Sequence, residues 1–153
     1  MNKKMANPLI SILVSWFVLG FLWASLYDTI NTTLPNMAPI ALTESGGTWG
    51  ILLWIWNAGI VILALATAIA AFKGRTVPGI ISAVEVFTCW TLLIFIWITL
   101  YTPINSTIPN AMNAWAHAMN PAYVAPTYLL SYYNNGAIIL MVGLGVIILG
   151  RNT

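Results

Sequence analysis

The chain has 153 residues, 60% of them hydrophobic and 5% charged, with a net charge of +2. A soluble domain carries about a quarter of its residues as charged types, so this composition excludes a water-solvated domain and makes lipid the expected solvent. The single cysteine, Cys89, excludes an internal disulfide and reads as a small packing residue inside an apolar run.

Lys3 and Lys4 precede the first apolar run, 8–27. That run is too long for a signal-peptide core, and "LWASLYDT" is a poor cleavage site, so the helix is expected to be retained. Next comes "DTINTTLPN", 28–36. Here Asn31 stands where the last helical carbonyls need donors, and Pro35 is expected to end the helix. An outer segment with Glu44 leads through the turn "ESGGTWG" into the second apolar run, 49–72. Gly59, Ala64 and Ala68 place small residues along it at spacings that let helices approach closely in lipid. Lys73 and Arg75 close this run.

The third run, 78–101, contains Glu85, seven residues beyond Pro78 and so about 10 Å inside the boundary at helical rise. An intramembrane carboxylate is a candidate ion or proton site; the competing structural role pairs it with Lys73 or Arg75, or with the hydroxyls of Ser82 or Thr88. "TPINSTIPN", 102–110, then repeats the earlier phrase, with Asn105 and Pro109 in the places of Asn31 and Pro35. The stretch 110–123 is predicted to form a short surface helix that buries Met112, Trp115 and Met119 on one face at the interface. The fourth run, 127–149, carries Gly136, Gly143, Gly145 and Gly150 as further small packing positions and ends at Gly150-Arg151.

Each run meets the roughly 20 residues a transmembrane helix needs. A shift of 74 residues over 16–36 gives eleven identities in twenty-one ungapped positions, among them Trp16/Trp90, Trp23/Trp97 and Tyr27/Tyr101. A longer outer loop in the second half then pairs Asn57 with Asn134 and Gly59 with Gly136. The expected fold is therefore an all-α integral membrane protein of four transmembrane helices. They form two tandem hairpins, 1–75 and 76–153, related as a parallel internal repeat. All five basic residues fall on one side, which the positive-inside bias makes cytoplasmic, with both termini. Parallel repeats are less usual in secondary transporters than inverted ones.

Trp23, Tyr27, Trp54, Trp97, Tyr101 and Tyr132, with Trp49, Trp56, Tyr128 and Tyr133, are expected to form an aromatic belt at the outer boundary. Asn31-Thr32-Thr33 and Asn105-Ser106-Thr107 both fit the glycosylation acceptor pattern. His117 is the only histidine and has no neighbouring ligands in sequence, so no metal site is expected. No phosphate loop, nucleophile elbow or paired carboxylate is present, so neither catalysis nor a cofactor is expected.

The unit of apolar helix, Asn/Pro/Thr phrase, Asn-rich loop and apolar helix with a basic end resembles the major structural proteins of archaeal spindle-shaped viruses of the fusellovirus type. "TPINSTIPN" and the helix ending at Gly150-Arg151 carry the likeness, and "DTINTTLPN" through Lys73-Gly74-Arg75 carries it again. The family usually has one hairpin per chain, whereas this chain has two, and its basic ends are lighter. The resemblance implies a virion shell of hairpins packed side by side with lipid and with other copies of the chain. The basic face would meet the viral genome or nucleoprotein, with the Asn/Thr loops, and any glycans on Asn31 or Asn105, outside. Two other readings fit the residues: an accessory structural subunit among other membrane subunits, and a small transporter or channel working through Glu85.

Overall fold

The computed structural model describes residues 8–122 and 128–151. Lys3, Lys4, Tyr123 and the side chain of Tyr128 lie outside the described residues. All the described elements are helical: α1 (Pro8–Asp28), π1 (Thr29–Thr33), α2 (Leu34–Met37), α3 (Pro39–Glu44), α4 (Thr48–Phe72), α5 (Thr76–Thr102), π2 (Pro103–Thr107), α6 (Ile108–Met119) and α7 (Tyr128–Gly150). Four of the helical stretches are long and apolar enough to cross a membrane; three contain the expected runs 8–27, 49–72 and 78–101, and the fourth, Leu130–Gly150, covers residues 130–149 of the last run.

The repeated phrase does not end its helix in either half. Asp28 to Leu34 and Thr102 to Ile108 keep right-handed helical dihedrals, and the chain passes through one π turn at each site. A proline inside an α-helix lacks the donor and pushes its ring against the carbonyl four residues back. Widening the turn before Pro35 and Pro109 to an i−5 pattern moves that carbonyl away, and the Leu34 and Ile108 amides bond to Thr29 and Pro103. The expected helix stop is corrected to a bulge, and the helical stretches run on to Met37 and Met119.

Beyond the bulges the two outer segments diverge. After π1 the helix breaks at Ala38, before Pro39, and the short α3 folds back against α5 with Ala41 fully buried. After π2, α6 continues for 12 residues. It is an extension of a 44-residue helical stretch, about 65 Å long against a hydrocarbon core of about 30 Å. Met112, Trp115 and Met119 do share one face of it, and at 37%, 71% and 73% exposure that face is open.

The tight connection at the other end is set by Gly74. Its φ of 72° is left-handed, and the amides of Gly74 and Arg75 bond back to Ala71 and Ala70 at 3.0 and 2.7 Å. That is a Schellman closure, which favours glycine because a Cβ would be strained there. Neighbouring spans are antiparallel, as paired contacts show: Trp16 meets Ala64 and Trp23 meets Asn57, while Trp90 meets Met141 and Trp97 meets Asn134. Helices α4 and α5 form the centre. Each also packs on α1 and α7, whereas among the described residues no packed interface joins α1 to α7.

Candidate functional site

Polar and aromatic groups concentrate at the end of the bundle that holds the π turns. Trp23 donates its indole N–H to Asn57 Oδ1 at 3.2 Å, and Asn57 Nδ2 donates to Asn31 Oδ1 at 2.7 Å. Asn31 Nδ2 in turn donates to the Tyr27 carbonyl at 3.0 Å. Seventy-four positions on, Trp97 donates to Asn134 Oδ1 at 3.3 Å and Asn105 donates to the Tyr101 carbonyl at 2.9 Å. Both asparagines therefore satisfy a helix carbonyl beside the π turn, where the ladder changes register.

The second copy departs from the first in its Asn partners. Asn134 Nδ2 reaches the Ser45 carbonyl at 3.3 Å, while Asn105 Oδ1 and the Tyr101 hydroxyl are buried without a hydrogen-bond partner among the described residues. The same end has a polar cleft of about 300 Å³ between the α3–α4 turn and α7, lined by Glu44, Ser45, Thr48, Ser131, Asn134 and Asn135.

Deeper in the bundle, Trp16 donates to the Ala64 carbonyl at 2.9 Å and Trp90 to the Met141 carbonyl at 2.6 Å. Their partners lie 77 positions apart, as do Asn57 and Asn134. Two further contacts are not repeated among the described residues: the Ser15 and Thr67 hydroxyls meet at 3.1 Å between α1 and α4, and Trp56 donates to Thr91 Oγ1 at 3.0 Å between α4 and α5.

The aromatic belt splits once packing is seen. Tyr27, Trp54 and Tyr132 are 45%, 68% and 75% exposed, but Trp97 and Tyr101 are buried, with Trp49 and Trp56, and Trp23 is half-buried. Trp97 stacks between Trp49 and Tyr133 at centroid distances of 5.9 and 6.2 Å, with Tyr101 edge-on at 5.2 Å. The Tyr133 hydroxyl donates to the Trp97 carbonyl. An indole N–H needs an acceptor that lipid cannot offer, so several of these rings turn toward Asn, Thr and carbonyl partners inside.

The packing positions also divide. A Cβ on Gly59 would lie 2.2 Å from a Trp90 ring carbon, so this glycine is required by the close approach of α5 to α4. Ala64 and Ala68 are half-buried. Gly136, Gly143 and Gly150, expected at helix contacts, meet no described heavy atom within 4 Å of a built Cβ; Gly145, expected with them, makes its contact to Trp90, and Gly79 makes one to Ala70. Glu85 lies on the exposed face of α5 in line with Ile81, Thr88, Leu92 and Ile96, not in an internal path. His117 is exposed near the end of α6 with Nδ1 at 3.1 Å from the Pro121 carbonyl. Among the described residues no three His, Cys, Asp or Glu side chains converge.

Both acceptor sequons lie in π turns, and the amide nitrogen a glycan would occupy is already a donor to the carbonyl four residues back. The intact mass of the chain from its native source is therefore expected to show no glycan at Asn31 or Asn105. A hexose ladder that disappears in Asn31→Gln or Asn105→Gln would show that these turns open.

Comparison with protein-family models, with curated proteins and with solved structures found no match.

Proposed function

We propose that the chain is a non-catalytic structural membrane protein that associates laterally to build a lipid-associated virion shell or membrane lattice. In this reading it is two tandem hairpins in parallel repeat, with the termini and Lys73, Arg75 and Arg151 on the inner side. The observation that carries it is the recurrence of one bonding scheme: Trp16 to Ala64 and Trp23 to Asn57 in one half, Trp90 to Met141 and Trp97 to Asn134 in the other. A module that packs beside a like module within one chain has the kind of side surface from which a lattice can be extended. The exposed basic residues Lys73, Arg75 and Arg151 would face the genome or nucleoprotein in a particle.

A second reading, an accessory subunit of a larger complex, is favoured by Glu85. A carboxylate on an apolar lipid-side face is costly, and a neighbouring subunit with a donor at that depth would relieve it. A transporter reading would need Glu85 to exchange ions or protons. Glu85→Gln should then abolish function in a transporter, whereas a shell protein should still assemble.

Density-gradient fractionation of the source culture, with this chain quantified by mass spectrometry, separates the first two readings. The shell reading expects it to dominate a released fraction that also contains nucleic acid. Retention in cell membranes at a fixed ratio to other chains would sink that reading and leave the accessory subunit.

A further inference from the structure

An apolar helix face open to lipid needs no protein partner, so exposure alone identifies nothing. What identifies an occupant here is that each bare face has a counterpart in the same chain that is covered. On α5, Phe87, Thr91, Ile94 and Ile98 are buried, with Phe87 against the Trp56 ring at 5.2 Å and Thr91 accepting the Trp56 N–H. The residues 74 positions earlier on α1 are Leu13, Phe17, Gly20 and Ala24, and all four are exposed, Leu13 at 64% and Phe17 at 75%.

The other side of the contact behaves the same way. On α4, Gly59, Leu63, Ala66 and Ala70 are buried, with Gly59 under the Trp90 ring and Ala70 against Gly79. Their equivalents 77 positions on, in α7, are Gly136, Leu140, Gly143 and Ile147. Leu140 and Ile147 are 54% and 58% exposed, and a Cβ at Gly136 or Gly143 would meet nothing. The α4-to-α5 contact thus joins the first half to the second, while both surfaces needed to repeat it, α7 and α1, stand free at opposite ends of the chain.

We propose that the α7 face of Gly136, Leu140, Gly143 and Ile147 docks α1 of a second copy, in the manner in which α4 holds α5. Gly136 then lies against Trp16 of the next copy as Gly59 lies against Trp90. Small residues on one helix facing large ones on the other give the close van der Waals contact that drives association in lipid, where helices gain nothing from leaving water. Because the two faces differ and do not meet within one chain, the contact is heterologous and adds copies head to tail, giving a ring or an open row. This rests on the reading of the chain as a self-associating protein and names its surface.

The test uses the full chain in phosphatidylcholine bilayers with Cys89→Ala as background. Leu13→Cys and Gly136→Cys together, treated with a short thiol cross-linker, are expected to give a ladder of dimers, trimers and tetramers; neither substitution alone gives one. Adding Gly136→Leu to a cross-linkable Leu13→Cys/Leu140→Cys pair is expected to remove its ladder while leaving the bundle's own denaturation midpoint unchanged, since a Cβ built there meets no described atom within 4 Å. Dimers from Leu13→Cys alone would mean a symmetric contact and overturn the proposal, as would an undiminished ladder in Gly136→Leu. Counting photobleaching steps of labelled chains separates the two levels. Clusters without cross-linking at these positions overturn this surface and spare self-association, whereas single chains overturn both.

Discussion

Trp97→Ala is expected to cost the bundle about 3–5 kcal/mol, the range for deleting a large buried aromatic side chain. Trp97 is 1% exposed and touches Trp49, Tyr101 and Tyr133, so its removal opens a void among three rings that are themselves held in place. The lost donor also strands Asn134 Oδ1, whose amide nitrogen ties α7 to the α3–α4 turn through Ser45. Titration with SDS in mixed micelles, followed by near-ultraviolet circular dichroism, would read the loss as a lower midpoint with helix content retained. Trp97→Phe keeps most of the packing and drops the N–H, so it should lose only about 1 kcal/mol, the scale of one interhelical hydrogen bond in lipid. Equal losses in the two variants would mean that the hydrogen bond, not the ring packing, holds this end together.

Gly59→Leu is the second substitution with a large expected effect. Its Cβ would fall 2.2 Å from the Trp90 ring, and that ring cannot swing aside without breaking the 2.6 Å bond from its N–H to the Met141 carbonyl. Overpacking a tight core typically costs about 1–3 kcal/mol, and here separation of α4 from α5 would add the loss of the Trp56–Thr91 bond. The same SDS titration should show a clear drop for Gly59→Leu and none for Gly143→Leu, where a built Cβ meets no described atom within 4 Å. Two glycines that look alike in the sequence thus predict opposite outcomes. If both variants lost stability equally, the close α4–α5 approach would be wrong.

Much of the architecture is legible in the residues because lipid imposes length and apolarity directly. The four membrane-length helices follow from that constraint, and the place of Asn31 and Asn105 beside carbonyls needing donors follows from their position just past the apolar runs. The proline effect is hidden for a local reason: Pro35 and Pro109 read as helix stops, yet one widened turn removes the clash at less disruption than ending the helix. The Trp97 and Tyr101 positions misled for a different reason. Their distance along the helix matches a boundary belt, but linear position carries no information about which side of the helix a ring occupies.

The sequence by itself determined the number of membrane-length apolar helices, the absence of an internal disulfide and the two stretches of matching residues 74 positions apart. Only the tertiary structure decided which face of each helix turns inward, that Gly59 is filled by Trp90 while Gly136 stays open, and that Glu85 lies on the outside of α5. In water the inward face would be marked by hydrophobic periodicity, because one side of a helix meets solvent and the other does not. In lipid both sides are apolar, so inward and outward differ only in the fit of side chains and the few indole, amide and hydroxyl groups that need each other. Those partners lie 34 to 52 residues apart in this chain, and folding is what brings them together.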